Sequence, residues 1–322
     1  TRRSSDLTTF NRDYESLSTD DRLPLFNRAT DGVYAPGSTF KLCTAVAALE
    51  SGIITPTTTI RDQGVYTYYA YPQPKCWIYR QYGSTHGSIN VSQAITESCN
   101  YFFYETGRLT GIETIDNYAT QFGLGRSTGI ETGDSKGALA SPEYAKANEL
   151  EWTDGQTITA AIGQSYNLFT PIQLANYVAT LVGDGEHYKA HLLKNVKSYD
   201  NSSMIYAYDE GPENTVSISD STLQAVKEGM YGVANSTLSS QFSRCIVTCG
   251  AKTGSAQVGT DIANGTFVCF APYDDPQIAV AVVIEKGGSG AALAGVAVDI
   301  VNAYFSREEI GTAIIGENTL IS

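Results

Sequence analysis

The stretch TFKLCTAVAALESG carries apolar residues and alanines at positions that suit a buried helix, with Gly52 as its stop. INVSQAITESCNYFFYETGRLTG has the pattern of a helical pair or one broken helix, and Asn90 and Gln93 stand where a capping box needs them. ETIDNYATQFGLG predicts a further helix ending in glycine. In TPIQLANYVATLVGDG, Thr170 is placed as N-cap, Pro171 at the first helical position and Gln173 at the third. From about residue 243 the texture changes. RCIVTCGAKTGSAQ, GTFVCFAPY and QIAVAVVIEKG are short β-rich runs between turn signals and predict three antiparallel strands. AALAGVAVDIVNAYF then predicts a closing helix. Asp6 to Thr30 reads as polar loop with room for one short helix, and residues 55–88, rich in Thr, Tyr and Pro, as loops and short strands. TRRSS, residues 1–5, has no structural logic and reads as a cloning scar.

The 322 residues suffice for a large core in one domain of two lobes. With 42% hydrophobic and 17% charged residues the composition is that of a globular chain. The net charge of −13 argues against a phosphate-binding basic stripe, so no nucleic-acid partner is expected. No apolar run approaches the ~18 residues of a membrane span, and no signal peptide is legible. The expected location of any anchor is therefore outside the chain, which is expected to be soluble.

The six cysteines, Cys43, Cys76, Cys99, Cys245, Cys249 and Cys269, form no C-x-x-C pair, which argues against a structural zinc. Cys245 and Cys249 are expected on one strand, too far along it to bridge easily. All six read as mostly free and buried, with Cys99 a small apolar filler. His187 and His191 lack a third ligand pattern and read as a solvated loop; no metal or cofactor is expected. EKGGSG lacks phosphate-loop spacing, and no G-x-S-x-G is present. The Tyr-rich run at 65–82 is expected to pack, with a share in lining a groove.

Three short patterns carry candidate chemistry. In YAPGSTFKLC, Ser38 and Lys41 fall one helical turn apart on one face. A serine is a weak nucleophile until a neighbour takes its proton, and a lysine does so only when burial or nearby positive charge lowers its pKa. Alone, the pair equally describes a helix start with a surface lysine. S-x-N occurs three times; Ser98 and Asn100 lie between apolar helical stretches, where polar side chains need a reason. In the predicted strand at Lys252, Thr253 and Ser255 face one side, and Gly254 allows close backbone approach. This is either a carboxylate cradle or a polar edge strand guarded by lysine.

Taken together and in this order, S-x-x-K, S-x-N and K-T-G resemble the motif set of penicillin-binding proteins and serine β-lactamases. NRATDGVYAPGSTFK, FGLGRSTGIETGDSKGAL, AIGQSYNLFTPIQLANYVATL and AKTGSAQ resemble the transpeptidase domain of a class B, monofunctional penicillin-binding protein, from about Asp6 to about Phe305. The resemblance implies an α/β (α+β) fold in a single domain, 6–322. An antiparallel sheet flanked by helices would meet an all-helical lobe, about 55–235, with the active site between them. One or two strands, a pedestal domain and a membrane anchor that precede this region in the family are not found here, so the expected sheet has fewer than the family's five strands. LVGDGEHYKAHLL also departs from the family, in a loop expected to leave the chemistry alone.

The resemblance assigns roles. Ser38 would attack the penultimate carbonyl of a D-Ala-D-Ala stem-peptide end, with Lys41 as base. Ser98 would relay the proton to the leaving amine, and Asn100 would hold the substrate amide and orient Lys41. Thr253 and Ser255 would bind the terminal carboxylate beside Gly254, under the positive potential of Lys252. The N–H groups of Ser38 and Ser255 would form the oxyanion hole. Peptidoglycan stem peptides and β-lactams, covalent at Ser38, are the implied ligands. Membrane glycosyltransferase machinery is the implied partner of the parent protein, at the extracytoplasmic face of the bacterial membrane. A class D-like β-lactamase and a non-catalytic β-lactam sensor are the alternatives.

Overall fold

The computed structural model describes residues 7–257 and 262–311, so residues 1–5 lie outside it. In chain order the elements begin with α1 Leu7–Ser18, a 3₁₀ turn Gly37–Phe40, α2 Lys41–Glu50, β1 Ile60–Asp62, α3 Trp77–Tyr82 and β2 Gly87–Ile89. Next come α4 Val91–Thr96, α5 Asn100–Thr110, α6 Ile112–Gln121, α7 Pro142–Ala147, α8 Asp154–Ala160 and α9 Pro171–Val182. A small β-rich patch follows: β3 Glu186–His187, β4 Asn195–Lys197, β5 Met204–Ala207 and β6 Asn214–Thr215. Then come α10 Asp220–Gly232, α11 Ser239–Phe242, β7 Gly250–Gln257, β8 Ala263–Ala271, β9 Ile278–Ile284 and α12 Ala294–Gly311.

The expected helix starts form for the expected reasons. Asn90 and Gln93 make a reciprocal capping box on α4, and Thr170 and Gln173 make another on α9, with Pro171 at its first position. The large sheet is three-stranded and antiparallel, in the order β7-β8-β9, with Thr253 opposite Phe267 and Phe267 opposite Val282. Among the described residues no strand precedes Ser38.

Strand alternation divides the core. Phe267, Cys269 and Ala271 of β8 face α11 and α12, while Val268 and Phe270 join the larger cluster built by α2, α4, α5, α6, α9 and α10. That larger cluster is continuous from the helical lobe to the sheet. Phe267 is fully buried. Phe267→Ala is expected to cost about 3–5 kcal/mol of stability, seen as a lower urea midpoint at unchanged slope.

Four local expectations need correction. Residues 243–249 form turns, not strand; β7 begins only at Gly250, and the fold brings the Sγ atoms of Cys245 and Cys249 to 3.4 Å. The helix α1 takes up half of the segment expected to be mostly loop. The helix α3 rises from the Tyr-rich stretch expected to be loop and short strand. His187 is buried, within 3.0 Å of Thr180 Oγ1 and packed over Gly123, and only His191 is exposed.

Candidate active site

Ser38 sits in the 3₁₀ turn that leads into α2, not in the α-helix itself. Two contacts clamp this turn. The Gly37 N–H donates to the Gly163 carbonyl at 2.9 Å, and Gly37 itself packs under Ser255 of β7. Gly37 has φ +53°, and a Cβ there would lie 2.8 Å from the Ser255 carbonyl oxygen, so only glycine fits. On the strand side, a Cβ on Gly254 would meet the Pro36 carbonyl oxygen at 2.6 Å. The serine turn and the K-T-G strand are thus pressed together by the absence of two side chains. Gly254→Ala is expected to push β7 from the turn and slow acylation of Ser38 at least about tenfold, measured as the rate of labelling by a fluorescent penicillin.

Lys41, the first residue of α2, is fully buried. Its Nζ donates to Asn100 Oδ1 at 2.6 Å and to the Ser98 carbonyl at 2.8 Å, and lies 3.4 Å from Ser98 Oγ. Among the described residues no hydrogen bond joins Lys41 to Ser38; the amine is held instead by Ser98 and Asn100. Lys252 is also fully buried and donates to Ser98 Oγ at 2.9 Å. Burial lowers the Lys41 pKa to about 8, the range of a working base. Burial, and then the neighbouring Lys41 charge, lowers that of Lys252 well below its ordinary value.

Ser98 links the two amines because of its backbone. It has φ +52°, an uncommon conformation for a non-glycine residue, at the break between α4 and α5. Its carbonyl takes the Lys41 amine while its hydroxyl takes the Lys252 amine. Asn100 opens α5 two residues after Ser98.

Thr253, Ser255 and Gln257 are the less buried positions of β7, alternating with buried Lys252, Gly254 and Ala256. Two cavities meet over Ser38. One, of about 400 Å³, is lined by Ser38, Ser98, Asn100, Thr253, Gly254 and Ser255, with Trp77, Arg80 and Glu97 on its far wall. The other, of about 520 Å³, shares Ser38, Arg80, Asn100 and Ser255 and runs on to Gln257. Six of the eight sequence-predicted residues therefore line one cleft, and the two buried lysines, Lys41 and Lys252, join them from beneath through Ser98.

A second cluster lies behind the S-x-N motif. The Sγ atoms of Cys76 and Cys99, an Asp62 carboxylate oxygen and a His86 ring nitrogen all lie within 4.8 Å of one another. His86 Nδ1 is 2.7 Å from Asp62 Oδ2, and the two sulfurs are 3.8 Å apart. The Cys99 hydrogen bond lowers the Cys76 thiol pKa, while burial raises that of Cys99. Two thiols, an imidazole and a carboxylate are the donor types of a tetrahedral zinc site. The expectation against a metal rested on the lack of C-x-x-C. That test cannot see four donors drawn from four separated segments.

The family model described as the penicillin binding protein transpeptidase domain matches residues 2–305. The chain belongs to this family. It is 34% identical over 304 residues to the peptidoglycan D,D-transpeptidase MrdA of Escherichia coli K12, which takes in 88% of this chain and 47% of that protein. The MrdA of Haemophilus influenzae is 32% identical over 323 residues, 92% of this chain and 48% of the relative. The chain thus spans about half the length of the curated relatives it matches. A crystal structure of Pseudomonas aeruginosa PBP2 in complex with WCK 5153 superposes with a TM-score of 0.81 at 30% identity, covering 91% of this chain and 63% of that one. Helicobacter pylori PBP2 in complex with MreC gives a TM-score of 0.78 at 27% identity, covering 92% and 54%.

Some parts of this transpeptidase domain's cleft were not anticipated as site residues. Ser289, in the EKGGSG stretch set aside above, lines the cleft and accepts a hydrogen bond from the Ala291 N–H. Gly290 N–H donates to Ser255 Oγ at 3.1 Å. Trp77 and Arg80 reach the cleft from α3. The Tyr-rich run that contains them was the only signal of this wall.

Proposed function

We propose that the chain is the catalytic domain of a peptidoglycan D,D-transpeptidase. The observation that carries this reading is the placement of a buried Lys41, held by Ser98 and Asn100, beside a serine that opens to two cavities. Neutral Lys41 takes the Ser38 proton as Oγ adds to the penultimate D-Ala carbonyl. The N–H groups of Ser38 and Ser255 receive the oxyanion. Ser98 returns the proton to the leaving D-Ala nitrogen; its hydroxyl, 2.9 Å from Lys252 and 3.4 Å from Lys41, connects both amines. Thr253 and Ser255 hold the terminal carboxylate next to Lys252, and Asn100 holds the substrate amide. An amine of a second stem peptide then takes the acyl group and regenerates Ser38. β-Lactams enter the same path as mimics of the D-Ala-D-Ala end and stay as Ser38 esters.

Glu131 supports transfer over hydrolysis. Its carboxylate accepts the N–H groups of Leu192 and Leu193 and lines neither cavity, so it is not placed to activate water at the ester. No described helix is long and apolar enough to cross a membrane. By similarity to MrdA, the parent protein is proposed to hold this domain at the extracytoplasmic face of the membrane. It would cooperate there with a polymerising partner, as in the peptidoglycan synthase complex to which the chain is similar with a TM-score of 0.79 and 27% identity.

The test is partition of the acyl-enzyme. With a D-Ala-D-Ala donor and an amine acceptor, ligated peptide is expected, and a penicillin ester should persist through many minutes. Rapid, repeated penicillin hydrolysis would instead make the domain a β-lactamase.

A further inference from the structure

The two cavities over Ser38 differ in charge. The larger one is lined by Lys75 and Arg80 and by no acidic residue. In a chain with 34 acidic and 21 basic residues, that sign is against the background. Neither cation forms an ion pair among the described residues. Both are exposed at the cleft rim, on the segment that leads into α3 and on α3 itself.

Strand β7 says which part of a substrate reaches them. Thr253 lines only the smaller cavity and Gln257 only the larger, with Ser255 common to both. A peptide laid along this edge strand, with its terminal carboxylate at Thr253 and Ser255, has its penultimate carbonyl over Ser38. Its upstream residues then run toward Gln257, about 13 Å from Thr253 at strand rise. On that path the residue just before D-Ala-D-Ala would enter the larger cavity, which Lys75 and Arg80 line.

We infer that Lys75 and Arg80 read a free carboxylate at the end of that residue's side chain. They would select stem peptides whose third residue is a carboxylated diamino acid over those with lysine or an amidated side chain. This rests on the acyl-transfer reading of the cleft. It adds a specificity determinant on the donor strand that plays no part in the bond-making steps.

Competition against fluorescent penicillin tests it without requiring turnover. Peptides ending in Xaa-D-Ala-D-Ala, with Xaa carrying a free carboxylate, its amide, or a lysine side chain, are compared by the concentration that halves Ser38 labelling. The carboxylated peptide is expected to compete about fivefold better at low salt. In Lys75→Gln/Arg80→Gln the ratio should fall to near one. The ratio is internal to each variant, so loss of active protein does not affect it. If the double variant fails to fold, the wild-type ratio should still collapse toward one in 1 M salt, where the screening length is about 3 Å. Equal competition by all three peptides, no competition by any, or a preference that survives both the substitutions and high salt would overturn the inference. Failure of penicillin to label wild-type Ser38 would instead overturn the acyl-transfer reading itself.

Discussion

Ser38→Ala is expected to abolish covalent capture of penicillin altogether. Intact-mass measurement of the wild-type chain after incubation should show one added penicillin, and peptide mapping should place it on Ser38. The variant should show no added mass at any penicillin concentration. The expectation is this large because the hydroxyl lies where the two cavities meet, in the turn that leads to the buried Lys41. The hydroxyls of the other two motif serines are already engaged. Ser98 Oγ accepts from Lys252, and Ser255 Oγ accepts the Gly290 N–H. The Cys76 and Cys99 thiols face Asp62 and His86 behind the motif and line neither cavity. The exchange itself removes one oxygen from a half-buried turn held by main-chain contacts, so the fold should be preserved. An adduct that persists in the variant would assign the nucleophile elsewhere.

Acylation should also rise with pH and level off above about 8. Lys41 must be neutral to take the Ser38 proton, and burial sets its pKa near 8. Below that value the ammonium form dominates, and the rate should fall tenfold per pH unit. A carboxylate base would give the same rise with pH, but its step would lie several units lower. Lys41→Met should cut acylation by about a hundredfold to ten-thousandfold, the range for loss of a positioned base. The residual rate should no longer show the step near pH 8. That shape change separates loss of the base from a damaged cleft, which would lower the rate at every pH and keep the step. Stopped-flow labelling across pH 6–10 reads both.

The sequence made the site legible wherever its residues lie close together in the chain. Ser38 and Lys41 share one turn, Ser98 and Asn100 one break, and Lys252 to Ser255 one strand. The starts of α4 and α9 were equally legible, because capping is decided by neighbours. What was hidden depends on distant partners. Cys245 and Cys249 look like strand by composition, but the chain turns there and only enters the ladder at Gly250. His187 reads as polar loop, yet β3 carries it under Gly123 and beside Thr180. Asp62, Cys76, His86 and Cys99 occupy separate segments with no common spacing, and only the folding of β1, α3 and β2 against α5 makes them one group. Ser98 shows a further limit: its motif was visible, but not the positive φ that lets one residue serve two lysines.

The larger core cluster passes without interruption from the helices to β8. The walls of the cleft therefore rest on one shared interior. Drug resistance on such a scaffold has a narrow route. Moving a wall means deforming packed interior, at a cost in stability, whereas exchanging a rim residue such as Arg80 or Gln81 alters admission and leaves the interior untouched.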